Sequence, residues 1–265
     1  MDLSDAYAIG AYTPDWDSYP PRWAAEASAM RASLGDRAEL DLAYGPGARN
    51  RYDIFHPEGS PKGLVVFVHG GYWRANDKSS WSQLAAGPLA RGWAVAMPSY
   101  TLAPEARITT IRQEIAVAVN AAAGRVDGPL VVTGHSAGGH LSARMRCRDG
   151  GLDPSVAARL RRVVPISPLS DLRPLMQTDM NADLRLDAAE AEAESPALNT
   201  DLHDVETVVW VGADERPALL DQARWLAKAW PRTEHVVVEG KHHFDVIEAM
   251  KTADGALTEA LVGGL

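Results

Sequence analysis

LVVTGHSAGGHL, residues 130–141, decides the fold. Its first four residues form an apolar, β-branched run that reads as a buried strand, and AGGHLSARMRC from Ala137 reads as a helix. Between them Gly134, Ser136 and Gly138 match G-x-S-x-G, a serine lifted clear of the backbone on a turn too tight for flanking side chains. Ser136 also stands at a helix N-terminus, where the dipole favours negative charge forming beside it. A serine incidental to a glycine-rich turn would not bring both the strand and the helix with it.

The same alternation spreads outward. LVVFVHGG from Leu64 is a continuous apolar run ending in glycines, the pattern of a strand buried on both faces. A helix is expected from about Asp77 to Arg91, then the strand WAVAMPSY and the helix ITTIRQEIAVAVNAAAG. Beyond Ser136 come the strands RVVPISPLSDL, VETVVWVGA and TEHVVVEG, with PALLDQARWLAKAW as a helix before the last. Strands alternating with helices predict an α/β fold with a doubly wound, mostly parallel sheet. Before Leu64 the pattern differs. Residues 1–37 read as an N-terminal arm, with Pro14, Pro20 and Pro21 among aromatics and a short helix, WAAEASAMRASLG, stopped at Gly35. AELDLAY and RYDIFHP, joined by the turn-rich GPGARN, predict antiparallel strands at a half-exposed edge. Residues 173–204 are too long for an ordinary connection and follow the C-terminal end of a strand, where ligands of open α/β sheets bind, so they are expected to form a small helical cap.

Composition bounds the function. The 265 residues suit a single domain, 46% are hydrophobic and 23% charged, as in ordinary globular chains. A net charge of −9 disfavours nucleic acid as a partner. Cys147, the single cysteine, excludes an internal disulfide and is expected to be buried on a helix. No stretch has the length of a membrane span, and the first residues lack the charged-then-apolar pattern of a secretory leader, so a cytoplasmic protein is expected. The histidines make no HExxH spacing and GHSAGG lacks the lysine of a phosphate loop, so neither metal nor other cofactor is expected.

A serine hydroxyl is a weak nucleophile near neutral pH and needs a base within hydrogen-bond reach. His242 and His243, in EGKHHFDV after the last strand, are the candidates. His243 is chosen because Phe244 beside it is expected to begin the C-terminal helix. An acid must orient that imidazole, and the loop after VETVVWVG offers Asp214 and Glu215. The third position after the strand-ending Gly212 selects Glu215, with Asp214 left open. HGGYW, residues 69–73, ends an earlier strand where backbone N–H groups can meet an oxyanion; Gly70, Gly71 and Ala137 are the expected donors. Donors of this kind contribute on the order of 3 kcal/mol each, because they are aimed before the charge forms.

HGGYW, GHSAGGHL, VGADERP and HHFDV, in this order and at these spacings, resemble the kynurenine formamidase (arylformamidase) branch of the α/β-hydrolases, over roughly residues 64–246. The resemblance implies an α/β-hydrolase fold with Ser136, His243 and Glu215 as a catalytic triad and no cofactor; the family usually has Asp where this chain has Glu215. It also implies hydrolysis of a small acyl ester or amide, N-formylkynurenine being the family's substrate. Tyr72 and Trp73 are expected to narrow the acyl side, and with Trp81 to stack on an aromatic leaving group, although several of the eight tryptophans must be core. A general short-chain carboxylesterase or thioesterase would share every one of these residues. A ligand-binding protein on the same scaffold would have no need to keep them.

Overall fold

The computed structural model describes residues 2–265. Eight strands, Ala38–Ala43 (β1), Arg51–Phe55 (β2), Leu64–Val68 (β3), Ala94–Pro98 (β4), Leu130–His135 (β5), Leu160–Ile166 (β6), Glu206–Gly212 (β7) and Thr233–Val238 (β8), form one sheet in the order β1-β2-β4-β3-β5-β6-β7-β8. β2 pairs antiparallel with both β1 and β4, and every other neighbouring pair is parallel. The helices are Tyr19–Leu34 (α1), Ala86–Ala90 (α2), Ile108–Ala123 (α3), Ala137–Arg144 (α4), Pro154–Ala157 (α5), Asn181–Leu184 (α6), Ala188–Ala193 (α7), Pro217–Ala229 (α8) and Ala256–Val262 (α9).

Side-chain alternation along the central strands splits the core into two layers. Leu64, Val66 and Val68 of β3, with Leu130 and Val132 of β5, pack against Ile108, Ile111 and Ile115 of α3 and Leu141 of α4. The intervening Val65, Phe67 and Val131 turn to the other face and meet Trp23 of α1, Leu89 of α2 and Leu257 and Leu261 of α9. Val209 and Val211 of β7 seat α8 through Ala223 and Leu226. Both faces are therefore covered, which is what the unbroken apolar runs require, and the expected α/β-hydrolase architecture with its antiparallel N-terminal strands is the one observed.

Several local expectations are corrected. α1 starts at Tyr19 rather than Trp23, because Pro20 and Pro21 fall in the first turn, where a missing N–H costs nothing. The expected helix from Asp77 to Arg91 is two 3₁₀ turns, Lys78–Ser80 and Ser82–Ala85, followed by α2. Asp77 caps the first of these turns, accepting the backbone N–H of Ser79 at 2.7 Å and its hydroxyl at 2.5 Å. Cys147 is buried but lies past the end of α4, in an isolated bridge to Leu202. Phe244 stands in a run of turns, and the C-terminal helix is α9.

The 173–204 segment folds as a 3₁₀ turn, Arg173–Gln177, then α6, α7 and a second turn, Pro196–Leu198. Charge holds it to the body. Arg107 donates to Glu190 Oε2 at 2.7 Å, and Glu194, at the end of α7, receives Arg144 Nε at 3.1 Å and Arg112 Nε at 3.3 Å. Burial opposes ionisation of Glu194, but Arg144 and Arg112 outweigh it and hold its carboxyl below the usual range.

Candidate active site

Ser136 joins β5 to α4 at φ +58° and ψ −118°, a conformation that L-residues hold only when the surroundings impose it. Its N–H donates to the Ile166 carbonyl at 2.9 Å, so the turn is tied to β6. A side chain at Gly138 would collide with the Val68 carbonyl oxygen, and one at Gly70 would lie 3.0 Å from the Ser136 Cβ. Glycine at these places is what lets β3, β5 and α4 close around the hydroxyl.

Glu215 follows β7 and His243 follows β8, bringing them together at the C-terminal edge of the sheet. His243 Nδ1 meets Glu215 Oε2 at 2.7 Å, with side-chain exposures of 4% and 0%. With that proton given to the carboxylate, Nε2 keeps its lone pair. The other carboxylate oxygen accepts the Ser167 hydroxyl at 2.5 Å and the Gly212 N–H at 3.0 Å. Asp214, the alternative acid, is exposed. His242 turns to the N-terminal arm, where its Nε2 lies 3.1 Å from the Tyr19 hydroxyl. Ser167 was not singled out in the sequence; its place immediately after β6 is the one signal that pointed to it.

The HGGYW loop is bent by three successive positive φ angles, +115° at Gly71, +50° at Tyr72 and +57° at Trp73. Among the described residues, the N–H groups of Gly70, Gly71, Tyr72 and Trp73 donate to nothing. Consecutive amides in such a bend form an anion-binding concavity. Ala137 opens α4, so its N–H also lacks an intrahelical acceptor. Gly70, Gly71 and Tyr72 line the same cavity as Ser136, and Ala137 follows Ser136 directly.

Ser136, His243, Gly70, Gly71, Tyr72 and Trp81 line one cavity of about 400 Å³. Trp73 does not. The positive φ turns its ring into the core, fully buried and edge-on to His140 with ring centroids 5.1 Å apart. The N-terminal arm supplies much of the wall through Tyr7, Ile9, Trp16 and Trp23, and the 173–204 segment adds Thr178, Asp179 and Met180. Arm and segment are stitched to each other, since Leu3 N–H donates to the Gln177 carbonyl at 2.8 Å and Asp179 N–H to the Ser4 hydroxyl at 2.8 Å. Tyr72 donates its hydroxyl to the Tyr7 carbonyl at 2.8 Å. Phe244, Arg74 and Asn76 line it as well. No group of three or more His, Cys, Asp or Glu is placed to hold a metal among the described residues, and no helix is long and apolar enough to cross a membrane.

A doubly wound sheet carrying these residues at its strand ends is the framework of an α/β-hydrolase, an enzyme class acting on ester or amide bonds. The BD-FAE family model matches residues 52–222, and kynurenine formamidases from Salmo salar and Drosophila melanogaster are 27% and 28% identical, covering 84% and 83% of this chain and 80% and 79% of theirs. The chain belongs to the BD-FAE family, in the kynurenine formamidase-like branch of the α/β-hydrolases. A crystal structure from Silicibacter sp. TM1040, proposed there to be a thioesterase, is 57% identical with a TM-score of 0.96, covering 98% of this chain and 99% of that one. Esterase B from Lactobacillus rhamnosis, 16% identical with a TM-score of 0.67 over 92% of this chain and 90% of its own, shares the fold.

Proposed function

We propose that the chain is a serine hydrolase releasing a small acyl group, formyl or acetyl, from an aromatic amide or ester, in the manner of an arylformamidase. The observation that carries this reading is the buried His243–Glu215 pair at 2.7 Å, opening on the same cavity as Ser136. Ser136 attacks the carbonyl while His243 Nε2 takes its proton, and Glu215 steadies the imidazolium. The Gly71 and Ala137 amides receive the oxyanion. His243 then protonates the leaving amine or alcohol, and a water activated by the same histidine frees the acid and restores the serine. Side chains, backbone and water suffice for every step. Tyr7, Trp16, Trp23, Tyr72, Trp81 and Phe244 give the cavity an aromatic wall suited to an aromatic leaving group.

The structure 57% identical to this chain favours a second reading, a short-chain thioesterase with the same triad. Comparing kcat/KM for N-formyl-L-kynurenine, p-nitrophenyl acetate, p-nitrophenyl butyrate and acetyl-CoA separates the two, with Ser136→Ala as the blank. Deformylation well above the esters supports the formamidase reading; a preference for the thioester replaces it. Failure of a fluorophosphonate to label Ser136 would remove both and leave a ligand-binding protein.

A further inference from the structure

We propose that His135, the residue before Ser136, is a positioning residue: its Nε2–H clamps the His243 carbonyl and so holds the His243 imidazole against Glu215 and beside Ser136. The proposal rests on the triad reading above. His135 Nε2 lies 2.8 Å from that carbonyl oxygen, which can only accept, so the proton is on Nε2. Among the described residues no other hydrogen bond reaches the backbone of His243. The neighbouring contacts fall on either side of it: Asp214 N–H donates to the Lys241 carbonyl, and Val246 N–H to that of His242. Without the clamp the His243 carbonyl has no bond, and its peptide is held only by the Phe244 N–H, which donates to His242 Nδ1 at 3.2 Å, and from its flanks.

The clamp is also built into the nucleophile's own turn. His135 ends β5, its ring lies 4.5 Å from the ring of His243 with the planes 43° apart, and it lines the catalytic cavity. One dipeptide, His135–Ser136, therefore carries the attacking hydroxyl and the tether of its base, so a shift of the turn moves both together. Burial first, and the facing His243 second, push the His135 imidazole well below its ordinary range, so it stays neutral while His243 takes up the proton. A second cation against the imidazolium would oppose the step that Glu215 favours. With the proton on Nε2, Nδ1 is a bare acceptor, buried and without a partner.

Side-chain reach provides the test. Glutamine at this position carries its amide N–H about as far as histidine Nε2, asparagine only as far as Nδ1, and phenylalanine fills the volume without a donor. His135→Gln should keep kcat within about fivefold of the wild type, while His135→Asn and His135→Phe lose about 100-fold with KM nearly unchanged, the signature of a misplaced base rather than lost binding. The substrate is p-nitrophenyl acetate, paralleled by the rate of fluorophosphonate labelling and by thermal melts. Wild-type kcat in His135→Asn overturns the proposal, as does a loss in His135→Gln equal to that in His135→Asn. If His135→Phe does not fold, the glutamine and asparagine pair still decides. Wild-type labelling at Ser136 tests the triad separately, because the clamp is read only from ratios among variants.

Discussion

Ser167 Oγ donates to Glu215 Oε1 at 2.5 Å, on the carboxylate oxygen opposite the one facing His243 Nδ1. The Glu215 carboxylate is thus held from behind as well as from the front. Glu215→Gln should lower kcat/KM for p-nitrophenyl acetate by about 10⁴, since an amide can present the wrong tautomer to the base. Ser167→Ala leaves Oε1 with the Gly212 N–H alone and should cost about tenfold, the price of one lost hydrogen bond to a charged group. Asp214→Asn should stay at the wild-type rate; a loss matching that of Glu215→Gln would move the acid to Asp214.

The bonds that hold the arm over the site include those from the Tyr72 hydroxyl to the Tyr7 carbonyl, from Gln222 Nε2 to the Tyr7 hydroxyl and from Arg216 to Asp5. Tyr72→Phe and Trp16→Ala should raise KM for an aromatic formamide by about tenfold while kcat changes little, because they remove contacts made equally in ground and transition states. p-Nitrophenyl acetate, with a smaller leaving group, should respond less. Equal changes for both substrates would take the arm out of substrate selection.

Glu194 and Arg144 face each other with side-chain exposures of 2% and 1%. Glu194→Gln leaves Arg112 without its carboxylate and Arg144 with Asp149 alone, 2.9 Å from its Nη2, and should cost about 3 kcal/mol in urea denaturation. Arg144→Met combined with Glu194→Leu should cost less than the sum of the two single changes, and additivity would show that the pair does not act as a unit.

His69 and His140 are buried without charge, and burial is the leading cause that pushes each down to about 4 from 6.5. The unfolded chain binds protons that the folded one refuses, so their contribution is complete above pH 6.5 and is lost as pH falls toward 4. Between about pH 7.5 and pH 5 each should remove about 2 kcal/mol of stability. His140→Gln can still donate to the Glu194 carbonyl, which His140 Nε2 meets at 2.7 Å, but it cannot titrate. The variant should flatten the dependence, and an unchanged slope would assign the acid sensitivity elsewhere.

What was legible in the sequence follows from how locally each feature is encoded. β3 and the first half of β5 are continuous apolar runs because they are buried on both faces, β6 and β7 are so only over residues 163–166 and 208–211, and Gly134, Ser136 and Gly138 specify the turn after β5 through sterics alone. Chain order narrowed the base to His242 or His243, but the helix expected at Phe244, on which the choice between them partly rested, is not there. Trp73 was misread because its direction depends on a positive φ that no neighbouring residue announces. The arm was read as packing only; Tyr7, Ile9 and Trp16 show no periodicity, and their meaning comes from meeting residues 178–180 across the sheet edge.

That distance along the chain gives the site a further property. Ser136 follows β5, His243 and Glu215 follow β8 and β7, and Tyr7 and Met180 line one cavity. Contacts of such sequence separation form late, after loop-closure entropy has been overcome. During refolding, far-ultraviolet circular dichroism will return before turnover does, so the first burst of ester cleavage times the closing of the last strand.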